Sequence, residues 1–84
     1  MTINNLLPGQ FDTGRLRANH EKFADRMGLE TAAVRERALS QIPARRFGDP
    51  EEFGATCAFL CSRFGGYITG QNILLDGGQY RGLL

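Results

Sequence analysis

Only two stretches of this chain read as β-strand, and a long helical excursion separates them. Asn72-Ile73-Leu74-Leu75, within Gln71–Asp76, is nearly continuous in apolar character. That pattern suits a parallel strand covered on both faces. The other stretch, Thr2–Leu7, takes its bulk from Ile3, Leu6 and Leu7, and Pro8-Gly9 stops it. Parallel strands need a crossover connection, and a helix that packs back on the sheet supplies it. The order strand, helical excursion, helix, strand therefore predicts an α/β fold, the last β-α-β unit of a doubly wound parallel sheet. Two parallel strands do not make a stable sheet alone. The first strand also begins almost at Met1, and 84 residues in this topology cannot cover both sheet faces. The expectation is a truncated part of a larger domain.

The excursion is punctuated clearly. Pro8–Gly14 is a loop, and Thr13 is placed to cap the helix that follows. From Arg15 to Met27, Leu16, His20, Phe23, Ala24 and Met27 recur at helical spacing, and Gly28 ends the run. A second helix is expected from about Thr31 to Ser40, with Val34, Ala38 and Leu39 inward and Arg35, Glu36 and Arg37 on a solvated face; Pro43 blocks its continuation. Asp49-Pro50-Glu51-Glu52 is the clearest local signal: an N-cap, a proline at the first helical position and a capping-box glutamate. Its acidic residues also oppose the positive end of the helix dipole. That helix is expected to run to about Phe64. Phe53, Cys57, Leu60 and Phe64 form one stripe, which Ala55, Ala58, Phe59 and Cys61 widen, so it calls for cover on more than one side. Tyr67–Gly70 is a turn, and Asp76-Gly77-Gly78 leads into a tail, Gln79–Leu84.

Composition narrows the function classes. Ten Lys and Arg against nine Asp and Glu leave a formal charge of +1, so no general field draws nucleic acid or an anionic membrane. Apolar runs fall far short of the roughly 20 residues that span a bilayer, and no signal peptide is visible. Cys57 and Cys61 sit four apart on one helix, which is poor disulfide geometry. They read as two small buried hydrophobes or, with ligands from elsewhere, half of a metal site. A cytoplasmic protein is the expectation.

Three blocks resemble a known family. Asn5-Leu6-Leu7-Pro8-Gly9-Gln10-Phe11-Asp12-Thr13 resembles the segment after the sixth strand of classical short-chain dehydrogenases/reductases. Arg46-Phe47-Gly48-Asp49-Pro50-Glu51-Glu52 resembles the start of their last large helix. Tyr67–Gln71 followed by Leu75-Asp76-Gly77-Gly78 resembles their closing strand and turn. The blocks come in family order and spacing over essentially the whole chain, nearest in flavour to 3-oxoacyl-(acyl-carrier-protein) reductases. The resemblance implies the C-terminal third of a Rossmann-like domain. Residues 1–13 would be the strand and cofactor-side loop, 14–46 the substrate-loop helices, and 47–84 the last helix, last strand and tail. It implies NAD or NADP as cofactor, bound along the carboxyl ends of the strands. The cofactor-binding residues carried over are Pro8, Gly9, Phe11 through its main chain and Thr13 through its hydroxyl. Phe11 replaces a more usual small aliphatic residue, which a backbone contact tolerates. His20 either touches substrate or packs as a partly buried histidine; Arg45-Arg46 either meets a phosphate or carrier protein or is solvated.

Neither a Gly-x-Gly-x-x-Gly after a strand nor a Tyr-x-x-x-Lys occurs in these residues; Tyr67 and Tyr80 have Gln71 and Leu84 four positions on. The pyrophosphate grip and the general acid/base of the family are thus absent, so no catalytic residue and no metal ligand is assigned, and tight cofactor binding by this chain alone is not expected. Two readings lead. One is a segment of an NAD(P)-dependent oxidoreductase acting on a small carbonyl or alcohol substrate, inactive alone. The other is a non-catalytic module that pairs through its last helix and strand with a copy of itself or a full-length relative. Either way, Phe53, Phe59, Leu60 and the Asn72–Leu75 strand should be exposed and the chain should self-associate.

Overall fold

The computed structural model describes residues 1–81. In chain order it comprises strand β1 (Asn5–Pro8), helices α1 (Gly14–Met27), α2 (Thr31–Ser40) and α3 (Pro50–Cys61), a 3-10 turn at Arg63–Gly65, and strand β2 (Asn72–Leu75). The strands pair in parallel, Asn5 beside Asn72 through Pro8 beside Leu75. The crossover read from the sequence is therefore present.

The strand begins later than Thr2 because side chains occupy the preceding backbone groups. The Ile3 N–H donates to Thr69 Oγ1 at 3.2 Å. Asn4 donates through Nδ2 to the Ile68 carbonyl and accepts the Gln71 N–H at 3.0 Å. The strand then runs one residue past Leu7. Pro8 has no N–H for the ladder, a loss tolerated at a strand end. Asp76 leaves β2 because its carboxylate accepts the N–H groups of Gly78 and Tyr80, at 3.0 and 2.7 Å. Gly77 and Gly78 follow with φ of 65° and 93°, which a side chain would strain.

The helix boundaries follow their caps. Thr13 Oγ1 accepts from Leu16 N–H at the start of α1. Gly28, at φ 68°, closes it in the left-handed region, with Leu29 N–H reaching back to the Ala24 carbonyl. The Asp49–Glu52 capping box forms in full at α3. That helix stops at Cys61 rather than at Phe64: Ser62 turns extended, and its hydroxyl accepts the Phe64 N–H to start the 3-10 turn.

Burial is sparse. Among the described residues, Ala24 and Ile42 are the buried hydrophobics. No residue of α3 is buried, although α3 is the most apolar helix in the sequence. Phe59 and Phe64 are 48% and 70% exposed. Phe53, Leu60 and Ile73–Leu75 are half-buried rather than open as expected. Both cysteines are free and exposed, so the buried reading is corrected: among the described residues, none covers them enough to bury them. The radius of gyration is 15.6 Å, against about 12 Å for a compact domain of this length. The chain is an elongated plate, 50 × 26 × 18 Å, not a closed globule. Gly82, Leu83 and Leu84, the end of the expected tail, lie outside the described residues.

Candidate functional site

The carboxyl end of β1 opens into a loop held from two sides. The Gly9 N–H extends the ladder to the Leu75 carbonyl at 2.9 Å. A Cβ on Gly9 would lie 2.6 Å from the Asp76 Cβ and 2.9 Å from its Cα, so the glycine is required by β2 itself. Beyond it the loop changes partner. Gly48 N–H donates to the Gln10 carbonyl at 2.9 Å, and Asp12 N–H donates to the Gly48 carbonyl at 2.8 Å, a parallel bridge between Phe11 and Gly48. The Phe11 ring lies where a Gly48 side chain would be, 2.6 Å from its ideal Cβ, and meets Phe53 edge-on at 5.8 Å.

A cleft of about 500 Å³ lies beside this loop. Pro8, Gly9, Phe11 and Thr13 line it, with Arg15, Leu16 and Asn19 of α1 and Pro50 and Phe53 of α3. All four residues expected to bind a cofactor thus share one wall. The Phe11 N–H finds no acceptor among the described residues. Its carbonyl accepts the Thr13 N–H at 2.9 Å and keeps a second lone pair. The Thr13 hydroxyl accepts from Leu16 and retains its own proton to donate. An apolar cleft with a free N–H, a spare carbonyl lone pair and a free O–H is suited to a planar amide.

Charge fixes the loop's flanks. Asp12 accepts two hydrogen bonds from Arg17, at 3.1 and 3.2 Å, and one from Arg35 at 3.3 Å. The Arg17 bonds, foremost, hold its carboxyl below the usual carboxylate range. Arg35 was expected on a solvated face. Instead its side chain is 26% exposed and reaches Asp12, stacks over the Phe47 ring at 4.8 Å, and lies 3.2 Å from His20 Nδ1. No local pattern reveals this, because Asp12 is remote in sequence. His20 is the packing histidine of the two readings: it is 9% exposed, and its ring lies 5.7 Å from that of Phe47. Burial first, and the Arg35 charge second, push its imidazole below its ordinary pKa.

Arg46 grips Glu52 with both nitrogens, at 2.6 and 2.8 Å. Glu52 also accepts the Asp49 N–H at 2.9 Å, and its pKa falls to about 2, chiefly through Arg46. Arg46 is therefore paired, and the pair anchors the loop that carries Gly48. The role of Gly48 opposite Phe11 had no sequence signal beyond its glycine. Among the described residues no group of three His, Cys, Asp or Glu is placed to hold a metal ion, and no helix is long and apolar enough to cross a membrane.

Comparison with known proteins places this geometry. The family described as "Enoyl-(Acyl carrier protein) reductase" matches residues 1–79. An acetoacetyl-CoA reductase of Rhizobium meliloti is 39% identical over 80 residues, covering 95% of this chain and 29% of that protein. A 3-oxoacyl-[acyl-carrier-protein] reductase of Vibrio cholerae is 34% identical over 80 residues, 95% of this chain and 28% of that protein. The crystal structure of YwfH, an NADPH dependent reductase involved in bacilysin biosynthesis, superposes with a TM-score of 0.87 at 36% identity, covering 99% of this chain and 31% of that one. The chain thus spans about three-tenths of the length of the relatives it matches. Its α/β architecture is a piece of their Rossmann-like fold. With the matching residues extending over nearly all of it, this chain belongs to the short-chain dehydrogenase/reductase family.

Proposed function

We propose that the chain forms the nicotinamide-side wall, the substrate lid and an oligomer contact of an NAD(P)-dependent oxidoreductase that moves hydride between a nicotinamide cofactor and a small carbonyl or alcohol. In this reading it is the C-terminal third of the domain. Residues 1–13 are the strand and cofactor loop, 14–46 the lid, and 47–84 the closing helix, strand and tail. The observation that carries it is the cleft at the end of β1, where the Phe11 N–H and the Thr13 hydroxyl remain free to donate beside apolar walls.

These groups fit the nicotinamide carboxamide. The Phe11 N–H would donate to its oxygen, and the Phe11 carbonyl would accept from its nitrogen. The cofactor, when bound, supplies or accepts the hydride. Pro8 and Phe53 would cover the ring from water, and Thr13 would fix its rotation. No residue here holds the reacting proton. The general acid/base and the pyrophosphate grip belong to parts of the family fold whose motifs these residues lack.

The test is a graft. These residues replace the matching span of the Rhizobium acetoacetyl-CoA reductase, and NADPH oxidation is followed with acetoacetyl-CoA. The graft is expected to turn over, whereas the 84-residue chain alone stays at background. Thr13→Val in the graft should raise the KM for NADPH roughly fivefold, the loss of about one hydrogen bond. A folded graft that binds NADPH equally well with Val at this position would remove the assignment.

One observation favours the second reading, a pairing module. α3 buries none of its residues, and Phe59 and Phe64 stand open. An apolar helix face left uncovered is a surface for another chain. Retention of the sedimentation coefficient of a monomer across a broad concentration range would dismiss it.

A further inference from the structure

We infer that Arg35 is a positioning residue that locks the α1–α2 hairpin to the Gln10–Thr13 loop, so that the lid and the cleft wall move as one body. The inference rests on the reading of Phe11 and Thr13 as ligand contacts for its functional meaning, but its geometry stands apart from any ligand.

Three segments meet this one guanidinium, which projects from α2. From α2 it donates through Nη2 to Asp12 of the loop, 3.3 Å away. Nη1 lies 3.2 Å from His20 Nδ1 of α1. Its Cζ lies over the ring of Phe47, 4.8 Å from the centroid, and the neighbouring Gly48 pairs with Phe11. Arg17 of α1 holds the same carboxylate, with Nε on the Oδ1 that Arg35 also reaches and Nη2 on Oδ2. Asp12 is adjacent both to Phe11 and to Thr13, so a displaced Asp12 carries both contact groups with it.

Chemistry makes the Arg35 position exacting. A guanidinium offers donors in a fixed planar fork and no acceptor. His20 Nδ1 must therefore accept, which places the imidazole proton on Nε2. A lysine supplies the charge but cannot match two acceptors with a rigid fork while covering a ring. The charged groups on the cluster are Asp12 from the loop, Arg17 from α1 and Arg35 from α2. Removal of Arg35 would leave α1 and α2 packed on each other but would free Asp12 to follow Arg17 alone. The lid could then shift without the loop, and the loop without the lid.

The experiment is NMR on the full 84-residue chain, with no ligand added. Imidazole nitrogen shifts report the His20 tautomer, and amide exchange reports Asp12, Thr13 and Leu16. The chain should show His20 as the Nε2–H tautomer. Arg35→Gln should erase that preference and speed exchange at Asp12 and Thr13 roughly three- to tenfold, while the α1 interior stays as protected as before. Arg35→Lys should behave like the glutamine variant, which a merely electrostatic role would not predict. An Nδ1–H tautomer or an unpopulated preference in the unsubstituted chain overturns the inference without any variant. So does loop exchange unchanged by Arg35→Gln, or full rescue by lysine. The nicotinamide reading is judged separately by the graft, since Thr13→Val there leaves Arg35 in place.

Discussion

The Pro8–Thr13 loop and helix α3 are both announced in the sequence, one by Pro-Gly and one by its capping box, yet they end in opposite states. The loop is held on both sides within the chain. Leu75 and Asp76 take Gly9, Gly48 takes Gln10 and Asp12, and two arginines take the Asp12 carboxylate. α3 is complete as a helix and unfinished as a packed element: its caps are satisfied and none of its side chains is buried. Caps are local, needing only neighbours along the chain. Burial needs a surface from elsewhere, and the described residues half-cover Phe53 and Leu60 but bury no residue of α3. The cleft wall is thus a finished object within these residues, while the apolar helix waits for another.

The largest effect should come from breaking the finished region. Gly9→Val puts a side chain where the Asp76 backbone lies, 2.9 Å from the missing Cβ, and backbone cannot rotate away as a side chain can. A loss of about 3 kcal/mol is expected, enough to abolish cooperative melting in circular dichroism if the chain's own stability is at the low end for small domains. A melting curve shared with the unsubstituted chain would mean that the β1–β2 junction is loose, and the comparison would fail at its strong end.

The next effect tests the unfinished region. Phe59 is 48% exposed, and pairing of α3 with another chain would bury it. Phe59→Glu should weaken self-association by about 2 kcal/mol, or roughly thirtyfold in dissociation constant, read by analytical ultracentrifugation. Helix content should change little, because Phe59 is half exposed and takes no part in the helix caps. A fall in helix content would show that α3 depends on contacts within this chain after all.

A smaller effect of opposite sign belongs to Gly54, in the middle of α3. A Cβ there would meet nothing within 4 Å. Gly54→Ala should therefore stabilise the helix by about 1 kcal/mol through propensity alone. The same substitution at Gly9 is destabilising, so the sign of glycine-to-alanine separates the two regions. The check is a paired set of urea midpoints.

Legibility in the sequence followed the same division. The crossover, the Thr13 and Asp49 caps, the Gly28 stop and the parallel pairing rest on residues near one another or on strand character, and all were readable. Where a side chain replaces a ladder bond, as Asn4 and Asp76 do, the strand limits shifted. The Ser62 break within an otherwise apolar run was equally silent, because one hydroxyl decided it. At the site, Pro8, Gly9, Phe11 and Thr13 came from family resemblance and share one cleft. Arg35 and Gly48 were missed because their partners lie remote in sequence, where no periodicity connects them. The exposure of Cys57 and Cys61 was missed for the reverse reason: helix amphipathicity says which face wants cover, not whether the cover is present.

The least effect, and the sharpest in sign, is that of pH on the α1–α2 side of the finished region. His20 accepts from Arg35 only while neutral, and its folded-state pKa lies below the ordinary value of about 6.5, first through burial and then through the Arg35 charge. Above that ordinary value the folded and unfolded chains both carry a neutral ring, and His20 adds no pH dependence. As pH falls below it, the unfolded chain takes up the proton first, so stability falls until the folded value is passed and then levels. Asp12 titrates in a separate, more acidic window, because its folded pKa is also lowered and its unfolded value is near 3.9. A urea midpoint that falls as pH is lowered through about 6.5 and is flattened by His20→Gln is the expected result. If the midpoint drops equally in both, another group titrates, and the link from His20 through Arg35 to Asp12 does not bear on stability. If it rises on acidification, the ring is better held charged than neutral, which the Arg35 guanidinium beside Nδ1 forbids, and the α1–α2 hairpin must then be seated differently against the loop.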